Sequence, residues 1–173
     1  GKGVQMAAVV VMGVSGCGKS SLARALADAM QLPLIEGDDF HSAANVAKMQ
    51  AGVALTDADR HDWLAALGQQ LAAHGQGAVL TCSALKQAYR EQLRAAAPGL
   101  RFAHLKLTRD EAIRRVGSRP GHFFNTSLVD NQFATLESPA GEPGVIEVDA
   151  TLPPPQLTQT LVAWMRQGAT DPS

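Results

Sequence analysis

Apolar residues fall along the chain in two distinct rhythms. Short runs rich in β-branched residues have the length and character of buried strands: Ala7 to Met12, Leu32 to Glu36, Ala78 to Cys82, Phe102 to Leu107 and Val145 to Val148. Between them, apolar residues recur at helical spacing, as in Leu22, Leu26 and Met30, in Trp63, Leu64, Leu67 and Leu71, and in Tyr89 and Leu93. These patterns predict helices over Ser21 to Met30, Ser42 to Gln50, Thr56 to about Leu71, Leu85 to Ala96 and Asp110 to about Ser118. A last helix follows Pro153-Pro154-Pro155 and ends near Met165. Thr56 and Asp59 have the spacing of a capping box, and Gly52 and Pro98-Gly99 read as helix stops. The polar-aromatic stretch from Arg119 to Glu137 shows neither rhythm. Strands alternating with helices predict an α/β fold with a five-stranded, mainly parallel sheet flanked by helices.

Length and composition narrow this picture. At 173 residues and 46% hydrophobic content, the chain reads as a single domain over 1–173 with a sizeable core and a frayed tail over about 168–173. A net charge of −1 without a long basic run argues against a general nucleic-acid or membrane-surface binder. Cys17 and Cys82 are too few for a disulfide framework or a zinc site, which favours a reduced, cytoplasmic setting. No apolar stretch approaches the roughly 20 residues of a membrane span.

The chemistry concentrates at the ends of the candidate strands. Gly13-Val14-Ser15-Gly16-Cys17-Gly18-Lys19-Ser20 is a complete G-x-x-x-x-G-K-[ST] phosphate loop between the first strand and the first helix. Its glycines let backbone N–H groups turn inward around a polyphosphate, Lys19 reaches the β- and γ-phosphates, and Ser20 offers a hydroxyl to Mg²⁺. Ser21 is placed to satisfy the helix terminus. The second strand ends in Glu36-Gly37-Asp38-Asp39, and a carboxylate there is suited to orient an acceptor hydroxyl and take its proton late in a loose phosphoryl-transfer transition state. Asp38 is the first choice for that role, while Asp39 is equally read as a helix cap. His41, Lys48, Arg60, Lys86 and Arg90 are candidate ligands for an anionic substrate, with Ser83 placed to contact acceptor or metal-bound water. Arg114, Arg115 and Arg119 cluster just before Pro120-Gly121, where a cover over about 119–131 would hinge.

Taken together, the phosphate loop, Glu36-Gly37-Asp38-Asp39-Phe40-His41, Asn45, Lys48-Met49, Gly52, Leu55 to Arg60, Trp63-Leu64, Cys82-Ser83-Ala84-Leu85-Lys86, Tyr89-Arg90, Gly121-His122-Phe123-Phe124 and Gln132-Phe133 resemble the gluconokinase family from about Val9 to Asp149. Glu36 stands where Asp is common, and Cys17 where Ser is often found. The resemblance implies a P-loop kinase fold with a small helical lid and ATP- and Mg²⁺-dependent phosphorylation of D-gluconate at its C6 hydroxyl. Family members are often homodimers. The implied catalytic groups are Lys19, Asp38 and Arg119. Gly13, Ser15, Gly16, Cys17, Gly18, Lys19, Ser20, Ser21 and Arg115 would meet ATP. Asp38, His41, Lys48, Arg60, Ser83, Lys86, His122 and Gln132 would meet gluconate, and Ser20 would hold Mg²⁺ with Glu36 or Asp38 acting through water. Another small-acid or nucleotide kinase, a nucleotide-dependent switch or ATPase, and a non-catalytic binding module are the alternatives.

Overall fold

The computed structural model describes residues 7–117 and 126–169. Its strands are β1 (Val9–Met12), β2 (Leu34–Glu36), β3 (Val79–Thr81), β4 (Arg101–Lys106) and β5 (Val145–Asp149). They form one sheet in the order β2-β3-β1-β4-β5, and every neighbouring pair is parallel. The described helices are α1 (Lys19–Met30), α2 (Ala43–Gln50), α3 (Asp57–Ala73), α4 (Gln87–Ala96), α5 (Arg109–Gly117), α6 (Thr126–Thr135) and α7 (Pro154–Ala169).

Because side chains alternate across a strand, the central strand β1 serves two cores at once. Val10 and Met12 pack with Trp63, Leu64, Leu67 and Leu71 of α3 and with Tyr89 and Leu93 of α4. Val9 and Val11 pack on the other face with Leu22 and Leu26 of α1 and with Leu157, Leu161 and Met165 of α7. A smaller cluster of Val14, Leu85, Ala112 and Val129 seats α5 and α6 beside the phosphate loop.

Three local features differ from the pattern-based expectation. The first helix begins at Lys19 rather than Ser21, because Gly18 adopts φ +92° and acts as its N-cap without a side chain. The acidic turn Gly37–Phe40 is a short 3₁₀ segment, and α2 is capped by Ser42, whose hydroxyl accepts the Asn45 N–H, so Asp39 is not the cap. Part of the stretch without rhythm is helical: α6 docks through Val129 and Phe133 against Ala112 of α5, a tertiary contact invisible to local periodicity. The capping box is present, with Thr56 Oγ1 accepting the Asp59 N–H and the Asp59 carboxylate accepting the Thr56 N–H. The hinge at Pro120-Gly121, Arg119 and the Gly121 to Phe124 segment lie outside the described residues.

Candidate active site

Parallel register sets the floor of the site. Val11 lies opposite Thr81, and Thr81 opposite Glu36, so the carboxyl ends of β1, β3 and β2 finish in one row beside the phosphate loop. Thr81 ties that row together: its hydroxyl accepts the Gly37 N–H at 3.1 Å and donates to Glu36 Oε1 at 2.7 Å. The same Glu36 oxygen accepts the Ser20 hydroxyl at 3.1 Å. Trp63 of α3 closes the frame by donating its indole N–H to the Gly37 carbonyl at 2.8 Å.

The loop itself is built for close approach. At Gly13, φ is +147°, and a Cβ there would sit 2.8 Å from the Leu105 carbonyl oxygen, so a side chain is excluded twice over. Gly18 faces open space, which leaves room beside the N-terminus of α1 for an anion. Lys19 Nζ donates to the loop carbonyls of Gly13 and Val14 at 3.0 and 3.2 Å. Ser15 donates its N–H to Gln132 Oε1 at 2.6 Å, and Gln132 Nε2 donates to Ser15 Oγ at 2.7 Å, joining α6 to the loop. Arg115 of α5 donates to the Gly16 carbonyl and to the Ala150 carbonyl after β5, both at 3.1 Å. Burial pushes the Cys17 thiol above its ordinary value and Cys82 up to about 12, so both stay protonated at neutral pH.

A cavity of about 400 Å³ opens over this floor. Ser15, Lys19 and Ser20 of the phosphate loop line it together with Gln132, which is bonded to Ser15, and so do Asp38, His41, Arg60 and Ser83. The Asp38 side chain is 86% exposed and lies 3.9 Å from His41 Nε2. His41 stacks flat on Trp63, with ring centroids 4.2 Å apart and planes 16° from parallel. Burial, assisted by Arg60 and opposed by Asp38, lowers the His41 pKa and keeps the ring neutral at pH 7. Arg60 is braced by donating to the Leu55 carbonyl at 2.9 Å and to the Tyr89 hydroxyl at 3.2 Å, and Tyr89 in turn donates to Asp57.

Several sequence candidates are placed elsewhere. Lys48 donates to Asp59 at 2.7 Å and Lys86 to Asp57 at 3.0 Å, and neither lines the cavity. Ser21 is exposed on the first turn of α1, also off the lining. Arg90 is fully buried, bound to both Glu142 oxygens and to the carbonyls of Ala84 and Glu137. It holds the loop that carries Ser83 rather than facing the cavity, and that loop contains Ala84 at φ +48°. Arg114 pairs with Glu111 on its own helix. Arg119 and His122 lie outside the described residues. Thr81 stands out in the sequence only as a strand residue, and Trp63 and Asn45 only as part of the family pattern, with no role attached to either. Thr81 was findable as the last residue of a buried strand adjoining the phosphate-loop strand, whereas Trp63 read simply as core.

Among the described residues, no group of three or more His, Cys, Asp and Glu side chains gathers to hold a metal. The hard oxygen donors at Ser20 and Glu36 nevertheless suit Mg²⁺, which keeps several waters and takes its remaining ligands from substrate phosphates. No described helix is long and apolar enough to cross a membrane.

Comparison with known proteins agrees with this geometry. A family model described as an AAA domain matches residues 9–139. A gluconokinase from Gluconobacter oxydans is 46% identical over 158 residues, covering 89% of this chain and 88% of the relative. The thermoresistant gluconokinase of Escherichia coli is 37% identical over 92% of this chain and 93% of its own length. The crystal structure of a gluconokinase from Sinorhizobium meliloti 1021 superimposes with a TM-score of 0.88 at 44% identity, covering 94% of this chain and 93% of that one. A phosphate loop facing an acidic acceptor turn, on a parallel sheet shared with these enzymes, places the chain in the gluconokinase family of P-loop kinases.

Proposed function

We propose that the cavity phosphorylates D-gluconate at its C6 hydroxyl, with ATP as donor, by in-line transfer. The observation that carries the reading is that one cavity is lined both by Lys19 of the phosphate loop and by the exposed Asp38 carboxylate. Lys19 leaves the Gly13 and Val14 carbonyls to meet the β- and γ-phosphates, while the loop N–H groups and the start of α1 cradle them. Arg115 sits where it can border the nucleotide between the loop and Ala150.

On the acceptor side, Asp38 accepts a hydrogen bond from the C6 hydroxyl and aims its oxygen at the γ-phosphorus. As the new bond from that oxygen to phosphorus forms, the bond from phosphorus to the bridging oxygen breaks. Its electron pair leaves with ADP, and the hydroxyl proton passes to Asp38 and then to solvent. Arg60 offers its guanidinium to the gluconate carboxylate, and His41, Ser83 and Gln132 bind hydroxyls. His122 joins the acceptor site and Arg119 meets the transferred group, as the family resemblance implies. Lys48 and Lys86 act one step removed, through Asp59 and Asp57. Ser20 would hold Mg²⁺, with Glu36 reaching it through water; the ion supplies charge neutralisation across the phosphates. The need for ATP and the two free, buried cysteines favour the cytoplasm. The homodimer common in the family is tested by sedimentation.

The test is Mg²⁺-dependent ADP release across gluconate, related aldonic acids, shikimate and nucleoside monophosphates, with a no-acceptor control. Turnover confined to gluconate, with 6-phosphogluconate as product, is the expected result. Preference for another acceptor overturns the substrate, and ADP release without acceptor overturns the transfer.

A further inference from the structure

Asn45 is 5% exposed, on the first turn of α2, and touches neither the cavity nor the phosphate loop. Its amide nitrogen Nδ2 lies 3.0 Å from the Asp59 carbonyl oxygen and 3.3 Å from His41 Nδ1. A carbonyl oxygen only accepts, so the Asp59 contact fixes the amide with its NH₂ group toward both neighbours; the flipped amide would set two acceptors face to face. The second amide hydrogen then points at His41 Nδ1, which must be bare to receive it. A neutral imidazole with a bare Nδ1 carries its proton on Nε2, and Nε2 is the atom that faces Asp38. The opposite tautomer would aim N–H at NH₂ on one side and a lone pair at a carboxylate on the other. A half-turn of the ring would keep its stack on Trp63 but put Cδ2 and Cε1 where Nδ1 and Nε2 now meet Asn45 and Asp38, so a flip relieves neither conflict.

We propose that Asn45 is a positioning residue that locks neutral His41 in its Nε2–H form, so that an N–H donor and the Asp38 carboxylate face each other across a gap that fits a substrate hydroxyl. A hydroxyl oxygen about 2.8 Å from each group spans the 3.9 Å separation, donating its proton to Asp38 while accepting the His41 N–H. One group reads the hydroxyl's hydrogen and the other its lone pair, which fixes its rotation about the C–O bond. The charged groups acting on the ring are Asp38, which favours its protonation, and Arg60, which opposes it. This role rests on the acceptor site proposed above.

Long-range ¹H–¹⁵N correlation of the histidine rings in ¹⁵N-labelled, ligand-free enzyme at pH 7.5 reads the tautomer directly, with His41 assigned from the signals lost in His41→Gln. The expected pattern is a bare Nδ1 and a protonated Nε2; the reverse pattern overturns the proposal. Asn45→Asp, which presents a carboxylate to Nδ1, should shift the proton to Nδ1 and lower kcat/KM for gluconate by about tenfold with the ATP KM unchanged. A second pair keeps the proposal falsifiable if that variant does not fold. Glutamine reproduces the Nε2 donor and asparagine does not, so His41→Gln should retain about tenfold more kcat/KM for gluconate than His41→Asn. Equal losses in the two refute it. If gluconate is not the acceptor, the ring signals still decide the tautomer, so the two readings fail separately.

Discussion

Gly37→Ala tests how tightly the chemistry depends on the strand ends. Gly37 links Glu36, beside Ser20, to Asp38, and its N–H and C=O are held by Thr81 and Trp63. A Cβ at this position would lie 2.1 Å from the Thr81 carbonyl oxygen, where Cβ contacts below 3.0 Å are essentially never found. The obstruction is backbone at the carboxyl end of β3, so no side chain can swing aside. The ends of β2 and β3 must separate by about 0.9 Å, the difference between those two distances. Overpacking of this kind costs about 1–3 kcal/mol, and at this chain length each kcal/mol lowers Tm by about 2–4 °C. The same displacement moves Asp38 away from the acceptor hydroxyl, and a misplacement of about 1 Å in a reacting group costs on the order of 10²-fold in rate. Calorimetry and steady-state kinetics on one preparation read both effects. The expected outcome is a modest fall in Tm with a disproportionate loss of kcat. A variant with wild-type kcat would refute the claim that the Gly37 contact sets the position of Asp38.

Three further outcomes follow from the contacts described. Lys19→Ala should lower kcat by at least about 10²-fold while leaving Tm within error, since among the described residues Nζ bonds only loop carbonyls; matched losses in both would assign Lys19 to folding. Arg90→Met leaves Glu142 with Arg94 as its remaining partner and strands the Ala84 and Glu137 carbonyls, each at a cost of about 1–3 kcal/mol in urea unfolding, so a total loss below about 1 kcal/mol would count against the buried network. The Lys48 ammonium holds the Asp59 carboxyl down to about 2, below its ordinary 3.8, so the pair stabilises the fold above pH 3.8 and that contribution fades as pH falls toward 2. Asp59→Asn should therefore lower Tm at pH 7 and converge with wild type near pH 2, and a gap independent of pH would refute the pairing.

Local pattern made much of the fold readable because its elements are locally determined. Val9 to Met12 is a continuous apolar run because β1 is buried on both faces, and the Thr56 and Asp59 capping box sits where its spacing predicts. The phosphate loop was equally plain, since its function depends on backbone conformations that only particular residues at fixed spacing supply. That Asp38 and His41 would line the cavity is legible for a related reason: the carboxyl end of a parallel strand beside such a loop is where ligands gather.

What the chain order could not convey is which cations remain free to meet a substrate. Lys48, Lys86, Arg60 and Arg90 are equivalent in a sequence, yet Asp59 and Asp57 engage the first two, Glu142 buries the last, and Arg60 alone of the four lines the cavity. Those partners lie 11 to 52 residues away, so only folding decides the pairing. The same holds for α6, whose helical state rests on docking against α5, and for Thr81, which joins Glu36 to Gly37 only once β2 and β3 are in register. Backbone conformation and strand burial are local quantities that the order of residues encodes directly. Side-chain pairing across the sheet depends on distances that exist only in the folded chain.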